Sequence, residues 1–191
     1  MSTVNQEDKT VPQYLIIGGA PKSATSSLFY YLADHPQVCS ANRKETYFFA
    51  REYDQADVCD LSETTEAFES YFSHCDDLNK LRVEATPYTL YSPGAAQKIL
   101  TLLPNSTMLF VFRDPVQRFL SDYYFHIQRD HPSAQGTFED FVEWQSWMRG
   151  DVASVLEMGC YLNYLRSFFD AFGTNRVQVV LFEELIVNPE A

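Results

Sequence analysis

Two apolar runs, residues 14–17 and 108–112, each stop abruptly at a polar or small-residue loop that leads into a stretch with helical spacing. In the first, Gly18-Gly19 closes the run, and hydroxylated residues follow within an apolar-periodic segment over residues 24–33. In the second, Arg113-Asp114-Pro115 closes the run and the spacing predicts a helix from residue 116 to about residue 129. Short, continuous apolar runs fit parallel strands covered on both faces. Asp34-His35-Pro36 ends the first helix, because the residue before a proline is pushed out of the helical region.

The rest of the chain keeps this alternation. A helix is predicted over residues 63–72, a strand over 81–84, and a helix opened by Pro93-Gly94 that runs to residue 103 and stops at Pro104-Asn105. Thr137 and Asp140 have capping-box spacing for a helix through residue 147. A long helix is predicted over residues 152–172, ended by Gly173, and a β-rich run over 177–182. Residues 40–60 read as irregular around the aromatic cluster Tyr47-Phe48-Phe49. Strands alternating with helices predict an α/β fold, three-layer α/β/α with a mainly parallel central sheet. With 191 residues the chain fits one domain over residues 13–191, preceded by a polar, flexible segment over 1–12. Ligands of such sheets sit where strands end and loops lead into helices. The loops over 18–27 and 113–121 both lie there.

The formal charge is −12, from 26 acidic and 14 basic residues. A negative surface repels nucleic acid and anionic lipid, so neither is an expected partner. An anion site must therefore be local, which makes the placement of each Lys and Arg informative. Four cysteines, Cys39, Cys59, Cys75 and Cys160, have no C-x-x-C spacing, and His74 beside Cys75 lacks metal-ligand spacing. The expectation is reduced thiols, no metal site and a cytoplasmic setting. No stretch reaches the roughly 18 apolar residues of a membrane span, and residues 1–12 lack the pattern of a secretory leader.

The first loop runs Gly18-Gly19-Ala20-Pro21-Lys22-Ser23-Ala24-Thr25-Ser26-Ser27. Small residues let backbone N–H groups approach an oxyanion, the helix start adds partial positive charge, and Lys22 adds a full one. Ser23, Thr25, Ser26 and Ser27 add hydroxyl donors. It is not the nucleotide loop G-x-x-x-x-G-K-S/T, since Pro21 stands before the lysine. Its plain alternative is a Ser-rich helix cap beside an incidental lysine. In the second loop Arg113 leaves a buried strand and Ser121 lies about two turns into the next helix, a pair able to hold a phosphate. The plain alternative there is a surface ion pair of Arg113 with Asp114 or another acid. Arg118 and Asp122 are spaced to pair along the helix.

Together these segments resemble the sulfotransferases that use 3′-phosphoadenosine-5′-phosphosulfate (PAPS). The family's phosphosulfate loop, P-K-S/T-G-S/T-S/T-S/W-L, is met by PKSATSSL over residues 21–28 at all but one position. Its 3′-phosphate motif, R-D-P-x-x-R-x-x-S-D-Y, is met by RDPVQRFLSDY over 113–123. Residues 44–49, KETYFF, resemble the K-E-x-x-F-F element of the heparan-sulfate-type and bacterial branches, and the segment over 182–185 also fits. The resemblance implies the sulfotransferase version of the P-loop nucleoside triphosphate hydrolase-like fold. It implies PAPS as co-substrate, adenosine 3′,5′-bisphosphate (PAP) as product and no metal. Lys22 and the loop over Ser23, Ala24, Thr25, Ser26 and Ser27 would hold the 5′-phosphosulfate, and Lys22 would stabilise the leaving group. Arg113 and Ser121 would hold the 3′-phosphate. Glu45 would be the general base, against the plainer reading of an ion pair with Arg43 or Lys44.

Three departures shape the expectation. Ala24 stands where the loop pattern has glycine, so any left-handed backbone there falls on an alanine. Ala85 stands where the heparan-type branch carries a lysine, which with the acidic total charge points to a small-molecule acceptor. The sequence ends at Ala191, short of the segment with which the family continues. The rival readings are a non-catalytic PAPS- or PAP-binding relative and a small P-loop kinase. Phe48, Phe49, Tyr88, Tyr91, Tyr123 and Tyr124 are candidates for an acceptor wall, with core packing their default use.

Overall fold

In the computed structural model, which describes residues 12–54, 63–147 and 153–187, the first apolar run forms β1 (Tyr14–Gly19). The loop after it enters α1 (Thr25–Ala33), and the chain returns as a three-residue strand, β2 (Val38–Ser40). A short helix α2 (Thr65–Glu69) precedes β3 (Leu81–Ala85), and α3 (Ala95–Leu102) precedes β4 (Ser106–Phe112). Then come α4 (Pro115–Gln128), α5 (Phe138–Trp147), α6 (Tyr161–Phe172), β5 (Val177–Leu181) and α7 (Phe182–Val187).

Among the described residues five strands form one parallel sheet in the order β2-β3-β1-β4-β5. β1 is central, with Ile17 opposite Ala85 on one side and Leu109 on the other. The chain turns away from β1 towards β2 and β3, but away from β4 towards β5. The crevice of a doubly wound sheet opens at such a reversal, here between the ends of β1 and β4. Alternation along β1 sends Ile16 and Ile17 to opposite faces. Ile17 packs with Phe29 of α1, Val83 and Ala85. Ile16 joins the larger cluster with Ile99 of α3, Phe110 and Phe168 of α6. Helices on both faces make the three layers that the sequence predicts.

Local chemistry sets the helix ends. Asp114 caps α4 by accepting from the Gln117 N–H at 2.9 Å, with Pro115 in the first turn where its missing donor costs nothing. The Thr137–Asp140 box forms in both directions: Asp140 Oδ2 accepts from Thr137 N at 2.8 Å, and Thr137 Oγ1 accepts from Asp140 N at 3.2 Å. Gly173, at φ 70°, ends α6.

The folded chain departs from the sequence expectations at several elements. The helix predicted over 152–172 begins only at Tyr161. Ser154 and Glu157 bond reciprocally through side chains and amides, at 3.1 and 3.2 Å, and Arg118 takes the Val155 carbonyl, so these groups serve a 3-10 turn at Glu157–Gly159. Residue 152 itself lies outside the described residues. β2, only three residues long, carries no readable period in the sequence, and the helix predicted over 63–72 divides into α2 and a 3-10 turn at Ser70–Phe72. The β-rich run closes at Leu181, and Phe182 opens α7.

Contrary to the sequence expectation, the thiols are not all reduced. Cys39 and Cys75 form a disulfide, Cα–Cα 6.1 Å, across 36 residues of sequence. Spacing along the chain carries no sign of it, because β2 and the turn after α2 meet only in the folded sheet. Disulfides persist in oxidising compartments, so the cysteines no longer argue for a reducing, cytoplasmic setting. Cys160 is free and exposed, and Cys59 and the segment over residues 1–11 lie outside the described residues. No helix among the described residues is long and apolar enough to cross a membrane.

Candidate active site

β1 does not end at its last paired residue. The Ala20 N–H donates to the Val111 carbonyl at 2.8 Å and lays the loop over residues 20–24 against the end of β4. Gly19 permits the turn beneath, since a Cβ there would come 2.9 Å from Leu90 Cβ and 3.1 Å from the Pro87 carbonyl oxygen. Within the loop, Lys22 and Ala24 take left-handed backbone, φ 66° and 63°. Ala24 is the residue that immediately precedes α1, and no side chain caps the helix amides there. Ser23 is fully buried and its hydroxyl has no hydrogen-bond partner, an orphaned donor of the kind an oxyanion satisfies. Thr25 is buried, whereas Ser26 and Ser27 are exposed on the first turn of α1.

Lys22 is partly buried, its ammonium 3.9 Å from the centre of the Phe125 ring. Burial pushes its pKa below that of an ordinary lysine; Asp122 opposes the shift, Arg129 and Arg113 reinforce it, and Glu45 opposes it. Arg113 donates from Nη1 to the Lys22 carbonyl at 3.3 Å and lies over the Phe182 ring at 4.6 Å. The Arg113–Asp114 ion pair weighed from the sequence does not form. Asp114 caps α4, and its own N–H donates to Glu183 at 2.9 Å. Neither Lys22 nor Arg113 has a carboxylate ion-pair partner among the described residues.

Lys22, Arg113 and Ser121 line one cleft of about 370 Å³, together with Gln117, Leu120, Tyr124, Phe125 and Gln128. Gln117, Ser121, Tyr124 and Gln128 recur every three or four residues along α4 and so form one stripe. That periodicity, counted outward from Ser121, was the available signal for the members the motif does not name. Behind the stripe, the fully buried Arg118 pairs with Asp122 at 3.1 Å, as their spacing predicts. Burial raises the Asp122 carboxyl, and Arg118 opposes it.

Glu45 does not line this cleft, but its charge reaches Lys22. It sits at φ 61°, its N–H donating to the Ala85 carbonyl at 3.0 Å. One carboxylate oxygen pairs with Lys44, the partner weighed from the sequence, and the other accepts from the Tyr47 hydroxyl at 2.9 Å. Burial, and then Glu45, hold the Tyr47 phenol well above its ordinary value. Tyr47 and Tyr53 stack on Tyr88, with ring centres 6.2 and 4.9 Å apart, and the Tyr47 end of this stack touches Glu45. Phe48, Phe49 and Tyr91 are core residues, Tyr123 packs between α4 and α5, and Tyr124 lines the cleft.

Sequence spacing gave no metal ligands, yet folding brings Cys39, His74 and Cys75 together, their ligand atoms within 4.8 Å of one another. The two sulfurs are bonded to each other there, with His74 Nε2 3.6 Å from Cys39 Sγ.

Comparison with known proteins bears on the whole domain. The profile of the sulfotransferase domain matches residues 12–191. The membrane-associated sulfotransferase kil1 of Dictyostelium discoideum is 34% identical over 136 residues, covering 69% of this chain and 27% of that protein. The human heparan sulfate glucosamine 3-O-sulfotransferase 3A1 is 27% identical over 194 residues, covering 97% of this chain and 43% of that protein. The chain thus spans less than half the length of these relatives. A crystal structure of a sulfotransferase from Alicyclobacillus acidocaldarius superposes with a TM-score of 0.78 at 26% identity, covering 93% of this chain and 76% of that one. With a parallel sheet whose β1 and β4 loops meet at one cationic cleft, and a family profile spanning nearly its full length, the chain belongs to the sulfotransferase-domain family.

Proposed function

We propose that this chain binds PAPS and transfers its sulfuryl group to a hydroxyl or amine of a small-molecule acceptor. The observation that carries the reading is the shared cleft: Lys22 and Arg113, from loops 91 residues apart, face one space with Ser121 and have no carboxylate ion-pair partner among the described residues. In a chain of formal charge −12, such a concentration of unneutralised cation suits a polyanion of nucleotide size. The orphaned Ser23 hydroxyl and the uncapped start of α1 fit a phosphate-type oxyanion.

PAPS, when bound, supplies an activated sulfuryl group. Arg113 and Ser121 hold the 3′-phosphate, and the loop from Lys22 to Ser27 holds the phosphosulfate. Lys22 neutralises charge on the 5′-phosphate oxygen as its bond to sulfur breaks. Glu45 accepts the acceptor's proton as the new sulfur–oxygen or sulfur–nitrogen bond forms, and passes it to solvent. Lys44 and Tyr47 fix the carboxylate's direction. In-line positioning and charge stabilisation carry the rate, as in phosphoryl transfer. The kil1 and heparan sulfate relatives share the family, but the acidic surface weighs against a polyanionic glycan. The Tyr47–Tyr88–Tyr53 stack offers a flat acceptor wall.

Two measurements test this. Adenosine 3′,5′-bisphosphate raises the melting temperature more than ATP with magnesium does, and sulfate passes from labelled PAPS to members of a panel of phenols, alcohols and amines. Stronger stabilisation by ATP points to a P-loop kinase instead. Bisphosphate binding without any transfer points to a non-catalytic relative.

A further inference from the structure

Glu84, near the end of β3, is fully buried and makes no contact with solvent. Its Oε1 accepts from the Thr46 hydroxyl at 2.9 Å, the Thr86 hydroxyl at 2.5 Å and the Thr46 N–H at 3.4 Å. Each threonine passes the connection on. Thr86 Oγ1 accepts from the Tyr47 N–H at 3.2 Å, and Thr46 Oγ1 accepts from the Phe48 N–H at 3.3 Å. One carboxyl oxygen thereby ties down, directly or through the two threonines, the backbone amides of residues 46, 47 and 48. In that segment Glu45 and Tyr47 both occupy left-handed backbone, φ 61° and 54°, which residues with side chains adopt only when their surroundings impose it.

We propose that Glu84 is a positioning residue for Glu45: through Thr46 and Thr86 it imposes the left-handed turn that sets the Glu45 carboxylate between Lys44 and Tyr47. This rests on the role proposed above for Glu45. Burial raises the Glu84 carboxyl towards its neutral form, with Thr86, Thr46 and Lys44 opposing. A carboxyl oxygen that collects three donors is mimicked by glutamine, whose carbonyl can collect the same three. Methionine fills similar space and accepts none of them.

The test compares Glu84→Gln and Glu84→Met with the full wild-type chain. Steady-state transfer from PAPS is measured to the best acceptor of the panel, beside amide hydrogen exchange at residues 46–48. In Glu84→Met, kcat falls about a hundredfold, as for a misplaced catalytic group. Its KM for PAPS stays near the wild-type value, because the nucleotide cleft is untouched. Exchange at Thr46, Tyr47 and Phe48 accelerates. Glu84→Gln retains most of kcat and most of the protection. Wild-type kcat in Glu84→Met, or equal loss in both variants, overturns the proposal. A parallel rise of KM for PAPS and fall of kcat, with faster exchange throughout the sheet, also overturns it, since that is general loosening. If the wild-type chain transfers nothing, the functional reading is what fails; exchange at residues 46–48 then decides the pinning alone, and equal protection in Glu84→Met and wild type refutes it.

Discussion

Arg113 Nη1 donates to the carbonyl oxygen of Lys22 at 3.3 Å, so the side chain that ends β4 braces the backbone of the loop that ends β1. The bond leaves the rest of the guanidinium fork and the whole Lys22 ammonium available to a ligand. It also ties the Arg113 fork to the Lys22 backbone before any ligand arrives, and preorganisation of this kind lowers the cost of binding.

Arg113→Ala is therefore expected to weaken binding of adenosine 3′,5′-bisphosphate by about 2 kcal/mol, the scale of hydrogen bonds to charged groups. Arg113→Lys restores only part of this, because an ammonium cannot reproduce the planar fork. Titration calorimetry at fixed ionic strength checks both. Unchanged affinity in the alanine variant rules out Arg113 as a nucleotide contact.

Ala24 carries a left-handed backbone at φ 63° where the loop pattern it resembles has glycine. The steric cost for a residue with a Cβ is roughly 1–2 kcal/mol, and the extra freedom of an unfolded glycine returns about 0.4–1 kcal/mol of that. Ala24→Gly is expected to raise stability by roughly 0.5–1 kcal/mol on these grounds. The reading is a higher urea midpoint at unchanged slope. A lower midpoint means that the Ala24 methyl makes contacts worth more than the strain.

What the sequence made legible follows from how local each signal was. β1, α1, β4 and α4 were readable because doubly covered strands are written as apolar runs and because loop and cap residues act within a few positions. Lys22, Arg113 and Ser121 were named for the same reason, and the sheet order then set them on one cleft. Illegible features depend on partners far along the chain. Arg118 reaches the Val155 carbonyl and helps break a helix predicted 37 residues away. Glu84 reads as a lone acid in a strand until Thr46 arrives from 38 residues upstream.

The Cys39–Cys75 disulfide joins edge strand β2 to the turn after α2, closing a loop of 36 residues. Cross-linking a loop of that length restricts the unfolded chain and contributes about 2–4 kcal/mol. Cys75→Ser, or reduction of the wild type, is expected to lower the unfolding free energy by about that amount, with the larger effect on the segment over residues 63–80. Alkylation under non-reducing and reducing conditions followed by mass spectrometry establishes the bond. Denaturant titration then measures its effect. Full alkylation of Cys39 in the native, unreduced protein excludes the disulfide.

Glu84 also makes stability depend on pH with a definite sign. Its folded-state pKa is raised above the ordinary carboxyl value of 4.5, chiefly by burial. Between those two values the folded protein holds a proton that the unfolded chain has released, so stability falls as pH rises through that interval. The contribution is complete below pH 4.5 and is lost as pH climbs towards the folded-state value. Glu84→Gln cannot release that proton in either state. Its stability relative to wild type should therefore improve steadily from pH 4.5 upwards and level off once the wild-type carboxyl ionises in the fold. Urea midpoints of the two proteins, taken as a difference at each pH, cancel the other titrating groups they share. A difference that stays flat from pH 4 to 8 would mean that Glu84 titrates as an ordinary carboxyl despite its burial, and that charged forms of it are tolerated beside Thr46 and Thr86.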